Sequence, residues 1–269
     1  MYNFIAKLLN FIESSTDHTH TEIVIAEFIM RSVHQLPSMS IYQVADACHT
    51  SPATVSRFCK KFDNISFKEL KEYARTYTEF NDSEVDYKKV EASINEDLVE
   101  DYFDNVAESL KETAELLQSK GLLNIAKKIY QAKKVSIFGV TFSHLLARNT
   151  QFKFLRLGKY ATAYGNHENQ ITEAKSLTTN DLAIVISFSG ETRFITQLVK
   201  VLIERNIPIV AITSNPDSFL ARNSKEILQL SNRRIEAYKS PILEEVSMLA
   251  VINSIYLVYS ALISSIENE

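Results

Sequence analysis

The segment "DLAIVISFSGETR" (residues 181–193) joins an uninterrupted apolar run to a cluster of small polar residues. The run Leu182–Ile186 carries no charge, which is typical of a strand that is buried on both faces of a sheet. Three hydroxyl side chains and a glycine follow within six positions: Ser187, Ser189, Gly190 and Thr192. Backbone amides at the start of a helix attract anions, and glycine lets a ligand approach them closely. The segment therefore predicts a buried strand followed by an anion-binding loop.

Four further apolar segments lie in the second half of the chain. They are "KVSIFG" (residues 134–139), "YATAY" (160–164), "IPIVAIT" (207–213) and "EILQL" (226–230). Apolar strands separated by spacers of helical length predict a five-stranded parallel sheet with helices on both faces, which is a three-layer α/β sandwich. In the flavodoxin-like strand order 2-1-3-4-5, the first and third strands meet where the order reverses, and ligands bind at that point.

The end of the first predicted strand is also rich in small polar residues. The segment "FGVTFSH" (residues 138–144) contains Gly139, Thr141 and Ser143. We therefore expect this loop and the loop at residues 187–192 to hold the phosphate of a small metabolite. The other interpretation is that the hydroxyl groups only cap the helices that follow the strands. No Walker lysine follows the loop at residues 187–192, and its "SFSG" has serine where a nucleophile elbow requires its first glycine. The segment "FGVTFSH" lacks the second and third glycines of a dinucleotide fingerprint.

The segment "SIYQVADACHTSPATVSRFCKKF" (residues 40–62) predicts two helices joined by a tight turn. Ile41, Val44 and Ala45 share one face of the first helix. In the second helix, Ser51 is in the N-cap position and Pro52 in the first helical position, a favoured pair at a helix start. The apolar side chains at i, i+3, i+4 and i+7 predict the buried face of this helix: Val55, Phe58, Cys59 and Phe62.

The opposite face of the second helix begins with small and hydroxyl residues and continues with bases: Ser51, Ala53, Thr54, Ser56, Arg57, Lys60 and Lys61. A recognition helix needs this order, because its first residues approach base edges and its later cations contact phosphates. The pattern predicts a helix-turn-helix that binds double-stranded DNA through these residues. The alternative is a helical hairpin with a solvated basic face.

The composition indicates a globular chain without special cofactor chemistry. Of its 269 residues, 45% are hydrophobic and 23% are charged. The net charge of -4 provides no overall basic field, so any contact with nucleic acid must come from a local patch. Cys48 and Cys59 match no zinc motif and suit a reducing compartment. His18 and His20 have no suitably spaced third ligand, so we expect no metal site and no cofactor.

Charge divides the chain near residues 80–90. Residues 57–75 carry six bases and three acids, whereas residues 81–117 carry twelve acids and three lysines. We therefore expect a helix-turn-helix domain at residues 1–80, an acidic helical connector at 81–100 and the α/β domain at 101–269.

One apolar segment, "MLAVINSIYLVYSALISS" (residues 248–265), is long enough to span a membrane. Its serines, Asn253 and the lack of a flanking basic cluster favour a helix that packs against protein, either in the core or between subunits. A membrane span is the alternative. The first residues, "MYNFIAKLLNFIESS", lack the pattern of a secretory signal, so we expect a cytoplasmic protein.

Both halves of the chain resemble one family. The segment "MSIYQVADACHTSPATVSRFCKKFDNISFKELKEYA" (residues 39–74) resembles the N-terminal domain of RpiR-type transcription regulators. Residues from about 100 to 266, with "FGVTFS" and "SFSGET", resemble a sugar isomerase (SIS) domain. The resemblance implies that Ser187, Ser189 and Thr192 hold a sugar phosphate, and that Ser143 does so from the first loop.

This chain departs from the family pattern at two turns. The family usually has glycines before the "FKELK" helix, where this chain has "FDNIS", so we expect Asn64 to adopt the left-handed conformation. The family usually has a second glycine in the first-strand loop, where this chain has Thr141. Close approach of the backbone to a ligand is therefore in question at that position.

The resemblance implies a transcription regulator of carbohydrate metabolism whose SIS domain binds a sugar phosphate as effector and so alters operator affinity. A helix-turn-helix protein generally binds a two-fold site, so we expect a homodimer or larger homo-oligomer. The alternative is a phosphosugar isomerase with an appended helical domain. An isomerase needs a general base and a ring-opening acid, for which the candidates are His167, Glu168, Glu244 and Glu245.

Overall fold

The computed structural model describes residues 8–9, 11–13, 15–84, 97–117, 119–233 and 242–267. The chain forms two compact units, Met1–Asp86 and Tyr87–Glu269. Most of the predicted connector at residues 81–100 lies outside the described residues. On its two sides, the helix that starts at Phe67 continues to Glu84, and the next described helix starts at Asp97.

The first unit is helical over its described residues. Its helices are α1 (Thr21–Arg31), a short 3-10 turn (Leu36–Ser38), α2 (Ile41–Ala47), α3 (Pro52–Asp63) and α4 (Phe67–Glu84). One hydrophobic core joins them, and it contains the predicted apolar residues of both central helices: Val44, Ala45, Val55, Phe58 and Cys59. The side chain of Phe62, the fourth member of the predicted stripe, lies outside the described residues. The helix-turn-helix arrangement of α2 and α3 is confirmed.

The ends of α2 and α3 follow from local chemistry. Ser40 and Gln43 form a capping box at the start of α2. The Ser51 side chain accepts a hydrogen bond from the Thr54 N–H at 3.2 Å, with Pro52 in the first turn. Asn64 ends α3 with a φ of 52° and a ψ of 34°, as expected for the residue that replaces the family's glycine. The turn between the helices passes through His49, which also has a positive φ of 49°.

The second unit alternates helices and strands around one parallel sheet. After α5 (Asp97–Leu116) and α6 (Ser119–Gln131), its elements are β1 (Val135–Phe138), α7 (Phe142–Arg156), β2 (Ala161–Thr162), α8 (His167–Ser176), β3 (Leu182–Ile186), α9 (Arg193–Glu204), β4 (Ile209–Thr213), α10 (Phe219–Arg222), β5 (Glu226–Gln229) and α11 (Ile242–Glu267). The strand order is β2-β1-β3-β4-β5, all parallel, which confirms the predicted sheet.

Helices cover both faces of the sheet because the strand side chains alternate between two apolar cores. Leu182, Ile184 and Ile186 belong to the core that contains residues of α6, α7 and α11. Ala183 and Val185 belong to the core that contains residues of α8, α9 and α10. The carboxyl ends of the neighbouring strands β1 and β3 therefore face the same edge, with α7 leaving over one face and α9 over the other.

The long apolar helix α11 contributes directly to this core. By length and composition, Leu243–Ile266 could cross a membrane. Five of its side chains are buried against the sheet and its neighbours: Met248, Val251, Ile252, Ile255 and Tyr259. The Ser247 hydroxyl also lies 3.0 Å from that of Ser109 on α5, and both residues are buried. Much of this helix therefore packs against its own domain.

Candidate functional sites

The loop that follows β3 is built around a glycine. Gly190 has a φ of 64°, a conformation that residues with a side chain rarely adopt. Its N–H donates a hydrogen bond to the Ser187 hydroxyl at 3.2 Å. A Cβ atom at this position would lie 2.3 Å from the Ser218 hydroxyl oxygen, so there is no room for any side chain. The predicted glycine is thus required both for the conformation of the loop and for its packing.

The segment after β4 braces the same loop from the side. The hydroxyl groups of Thr213 and Ser214 both donate to the Phe188 carbonyl, at 2.8 and 3.1 Å. The Asn215 side-chain amide donates to the Ser189 carbonyl at 3.4 Å. These contacts use the carbonyl oxygens of Phe188 and Ser189 and do not involve the hydroxyl groups of the loop. A preorganised loop loses little conformational entropy when a ligand binds.

Side-chain capping of α9 does not account for the hydroxyl cluster. Thr192 is the N-cap residue of this helix, but its side chain forms no capping hydrogen bond. The Ser187 and Ser189 oxygens accept from Gly190 and Glu191, within the loop. The amides at the start of α9 therefore lack the usual side-chain acceptor. The one carboxylate of the loop, on Glu191, accepts from the Phe219 N–H at 2.6 Å instead.

The loop after β1 is held by a residue that the sequence analysis did not identify. Gln170 on α8 is fully buried, and its amide group forms two hydrogen bonds with the Gly139 backbone. Its Nε2 donates to the Gly139 carbonyl at 2.9 Å, and its Oε1 accepts from the Gly139 N–H at 3.4 Å. A Cβ on Gly139 would lie 2.7 Å from the Ser143 carbonyl oxygen, so this glycine allows α7 to start against the strand end.

Thr141, in the same loop, has a strained backbone. Its φ is 55° and its ψ is -125°, a combination that is unfavourable for a β-branched residue. It is the N-cap residue of α7, yet its side chain forms no capping hydrogen bond. The turn therefore keeps the geometry of a glycine although the chain has a threonine there.

We expect Thr141→Gly to stabilise the second unit. Glycine adopts this conformation without strain, whereas a non-glycine residue in such a region costs about 1–3 kcal/mol. Glycine also increases the conformational entropy of the unfolded chain, which reduces this gain in stability by up to about 1 kcal/mol. Thermal denaturation of both proteins measures the difference, with Thr179→Gly, at an exposed turn position before β3, as control. A Thr141→Gly protein less stable than the parent would contradict the assignment of strain.

The candidate acid and base residues lie at the starts of α8 and α11. His167, the first residue of α8, stacks on Phe194 of α9 with ring centroids 3.8 Å apart, and burial lowers its pKa. Glu168 is exposed. Glu244 is 7% exposed and lies with Glu245 in the first turn of α11.

A buried polar network lies beneath the first-strand loop. The Glu173 carboxylate accepts hydrogen bonds from the hydroxyls of Ser136 and Thr162, at 2.6 and 2.7 Å. Lys134 lies 3.0 Å from the same oxygen. Burial opposes ionisation, but these donors prevail and keep the pKa of Glu173 below its ordinary value. This carboxylate therefore links β1, β2 and α8 as a charged structural group.

In the first unit, the predicted recognition surface lies on the solvent side of α3. Ser51, Ala53, Arg57, Lys60 and Lys61 are exposed, and Thr54 and Ser56 are partly exposed. The Arg57 guanidinium donates to the Thr54 hydroxyl at 3.2 Å, and that hydroxyl lies 2.9 Å from the Ser51 hydroxyl. The three side chains form a polar row at the amino end of the helix.

Lys61 differs from the other bases of this surface. Its ammonium group donates to both carboxylate oxygens of Glu22 on α1, each at 2.9 Å. The two residues are 39 positions apart, so no local pattern could reveal the pair. Lys61 therefore ties α3 to α1, and its charge is already compensated within the domain.

Models of known protein families match both halves of the chain. Residues 128–265 match the SIS domain. The chain belongs to the SIS-domain family. Residues 6–78 match the helix-turn-helix domain of the rpiR family, so this is an RpiR-type regulator with a SIS domain.

Proteins similar to this chain occur in several bacteria. An uncharacterized HTH-type transcriptional regulator of Caldanaerobacter subterraneus is 26% identical over 95% of this chain and 93% of its own length. The HTH-type transcriptional regulator HexR of Pseudomonas aeruginosa is 28% identical over 83% of this chain and 78% of its own. The Vibrio vulnificus NanR protein, solved in complex with ManNAc-6P, covers 98% of this chain and 94% of its own with a TM-score of 0.59 and 21% identity. That likeness concerns the fold.

Proposed function

We propose that this chain is a DNA-binding transcription regulator of carbohydrate metabolism that binds a sugar phosphate between the loops after β1 and β3. The main support is the loop at residues 187–192. It brings three hydroxyl groups and uncapped helix amides together where the strand order reverses. Amides at a helix start favour an anion, and hydroxyl groups donate to phosphate oxygens. The NanR structure with ManNAc-6P supports the same class of ligand.

The sugar phosphate is proposed to act as an effector rather than as a substrate. His167 stacks on Phe194, and its pKa is lowered, while Glu168 is exposed. An isomerase needs a general base and an acid within reach of the substrate, whereas relatives of this chain are named as transcriptional regulators. Solved structures of similar fold include one described as a phosphoheptose isomerase, so an activity assay is informative. Conversion of the bound sugar phosphate by purified protein would favour the isomerase alternative.

A thermal-shift screen tests the effector site most directly. The panel contains sugar phosphates, the same sugars without phosphate, and inorganic phosphate. A ligand that binds only the folded protein raises its melting temperature by mass action. We expect shifts with one or more sugar phosphates and none with the parent sugars. Equal shifts with phosphorylated and free sugars would contradict a phosphate site at the β3 loop.

We propose that α3 reads the operator through Arg57. Replacing Arg57 by alanine should weaken operator binding by about 1–3 kcal/mol and relax the preference at one base pair. Lys60→Ala should weaken binding to all sequences equally, as expected of a phosphate contact. Lys61→Ala should weaken binding less than Lys60→Ala, because Glu22 already compensates the charge of Lys61. Fluorescence anisotropy with a duplex selected from a random pool measures all three variants. Unchanged binding by Arg57→Ala and Lys60→Ala, with folding intact, would remove α3 from the interface.

We further propose that the protein acts in the cytoplasm as a homodimer or larger oligomer. Six large apolar side chains on α7 and α11 are exposed, namely Leu145, Phe152, Leu155, Leu249, Leu257 and Ile266. Exposed apolar residues on two helices that pack together suit a subunit interface. A dimer would also match the two-fold symmetry of helix-turn-helix operators. Light scattering coupled to size exclusion tests this, and a stable monomer would contradict it.

Regulation then requires only that the ligand prefer one arrangement of the subunits. Coupling of about 1–3 kcal/mol between the two sites would change operator affinity by a factor of about 5 to 150.

A further inference from the structure

A row of bases runs along α4, the helix that follows the helix-turn-helix. Lys68, Lys71 and Arg75 recur at i, i+3 and i+7, so they lie on one face of α4. With Phe67 and Glu72 they form one side of a groove of about 370 Å³. The other side consists of Met39, Ser40 and Ile41, at the start of α2.

The charges of this groove are only partly compensated. Glu72, the one acid that lines it, pairs with Arg75 at 2.8 Å. Glu69, the other acid in this part of α4, accepts from the Ser66 N–H and hydroxyl, both at 2.7 Å. Within the part of the chain that the structure describes, Lys68 and Lys71 form no ion pair. The groove therefore presents two uncompensated positive charges in a chain whose net charge is -4.

The recognition helix itself provides few cations for the DNA backbone. Lys61 is held by Glu22, and Arg57 is the proposed base-reading residue, which leaves Lys60 as the base of α3 for a phosphate contact. Affinity for DNA depends mainly on the number of phosphates that lysines and arginines neutralise. Further phosphate contacts must therefore come from neighbouring elements.

The position of the groove suits such a contact. In helix-turn-helix complexes, the first helix of the motif crosses the phosphate backbone while the second enters the major groove. The first helix here is α2, and its starting residues form one wall of the groove. The second helix, α3, leads through Asn64, Ile65 and Ser66 directly into α4. The bases of α4 thus lie beside the element that crosses the backbone.

We propose that the groove between the start of α2 and α4 binds the phosphate backbone of the operator through Lys68 and Lys71, with Arg75 as a third cation. This inference rests on the proposed DNA-binding function and extends it from base recognition by α3 to a second contact outside the major groove. It assigns to α4 a part of the affinity and no part of the sequence preference.

The salt dependence of binding tests the proposal. Lys68→Gln and Lys71→Gln are compared with the wild type and with Arg31→Gln, which removes one exposed, ion-paired charge from α1. Binding to two labelled duplexes, one selected by the wild type from a random pool and one scrambled, is measured between about 50 and 200 mM salt. We expect each lysine variant to reduce the slope of log affinity against log salt by about 0.9 on both duplexes, with the ratio between duplexes unchanged. Arg31→Gln should leave the slope unchanged.

Two results would overturn the proposal while the proposed function stands. One is a wild-type slope in both lysine variants when Arg57→Ala still loses operator affinity. The other is a changed ratio between the two duplexes, which would mean that the lysines read bases. If the wild type selects no duplex from the pool and does not bind the scrambled one, the DNA-binding function itself is wrong. Circular dichroism and thermal denaturation of each variant confirm that the fold is intact.

Discussion

Gly190→Ala should both destabilise the second unit and abolish effector binding. The new Cβ would lie 2.3 Å from the hydroxyl oxygen of Ser218 and 2.6 Å from its Cβ. Ser218 cannot move aside freely, because it is fully buried and its hydroxyl accepts from the Ala221 N–H at 3.1 Å. Crowding in a packed site costs about 1–3 kcal/mol, and a left-handed backbone adds about 1–2 kcal/mol for a residue with a Cβ. Thermal denaturation and calorimetric titration with a sugar phosphate measure the two effects.

Gly121→Ala is the matched control for this substitution. A Cβ at Gly121 on α6 would meet no atom within 4 Å. Alanine is favoured over glycine in a helix by up to about 1 kcal/mol, so this variant should be at least as stable as the parent. Adding Ser218→Gly to Gly190→Ala removes the steric clash and should recover part of the stability. Full stability and wild-type binding in Gly190→Ala alone would show that the loop differs from the one described.

Ser189→Asp should abolish sugar-phosphate binding without unfolding the protein. Ser189 is exposed, and its hydroxyl accepts from the Glu191 N–H at 3.4 Å, a role that an aspartate oxygen can also fill. The added negative charge repels the phosphate, and the hydroxyl donor is lost. Ser189→Ala should weaken binding less, because one hydrogen bond to a charged group contributes about 1.5–3 kcal/mol.

Ser189→Asn separates charge from size in the same experiment. Asparagine has nearly the shape of aspartate without its charge, so it should retain more affinity than Ser189→Asp. Operator binding in the absence of ligand should be unchanged in all three variants, unless the aspartate itself imitates bound phosphate and produces the liganded affinity. Calorimetry with the sugar phosphate that gives the largest thermal shift distinguishes these outcomes. Wild-type affinity in Ser189→Asp would contradict a role of this hydroxyl in phosphate binding.

The sheet could be predicted from the sequence because the residues of each strand themselves indicate a buried strand. Leu182–Ile186 and Ile209–Thr213 are apolar runs of strand length, and their burial on both faces follows from that composition. The switch point at β1 and β3 then follows from the strand order. The left-handed turn at Asn64 was expected from the family resemblance, because the family usually has glycine at this junction and asparagine tolerates the same conformation.

The contacts that shape the sites could not be predicted in this way. Gln170 is 31 residues from Gly139, and Glu22 is 39 residues from Lys61. Contacts of this kind depend on how separate elements pack. The role of Ser218 as the neighbour of Gly190 likewise depends on the packing of two loops. The assignments of Ser187, Ser189, Thr192 and Ser143 to an effector, and of α3 to DNA, stay predictions for the experiments above.

The two cysteines allow the stability of the DNA-binding domain to be followed separately. Both thiols of the chain, Cys48 and Cys59, are free and buried in the core of the first unit. Burial raises the pKa of Cys59 to about 11, so the reactive thiolate is scarce at neutral pH while the domain is folded. An alkylating reagent will therefore modify these residues mainly when the domain opens. The rate of modification, followed with and without DNA or a sugar phosphate, reports the opening of the first unit alone, with no label to introduce.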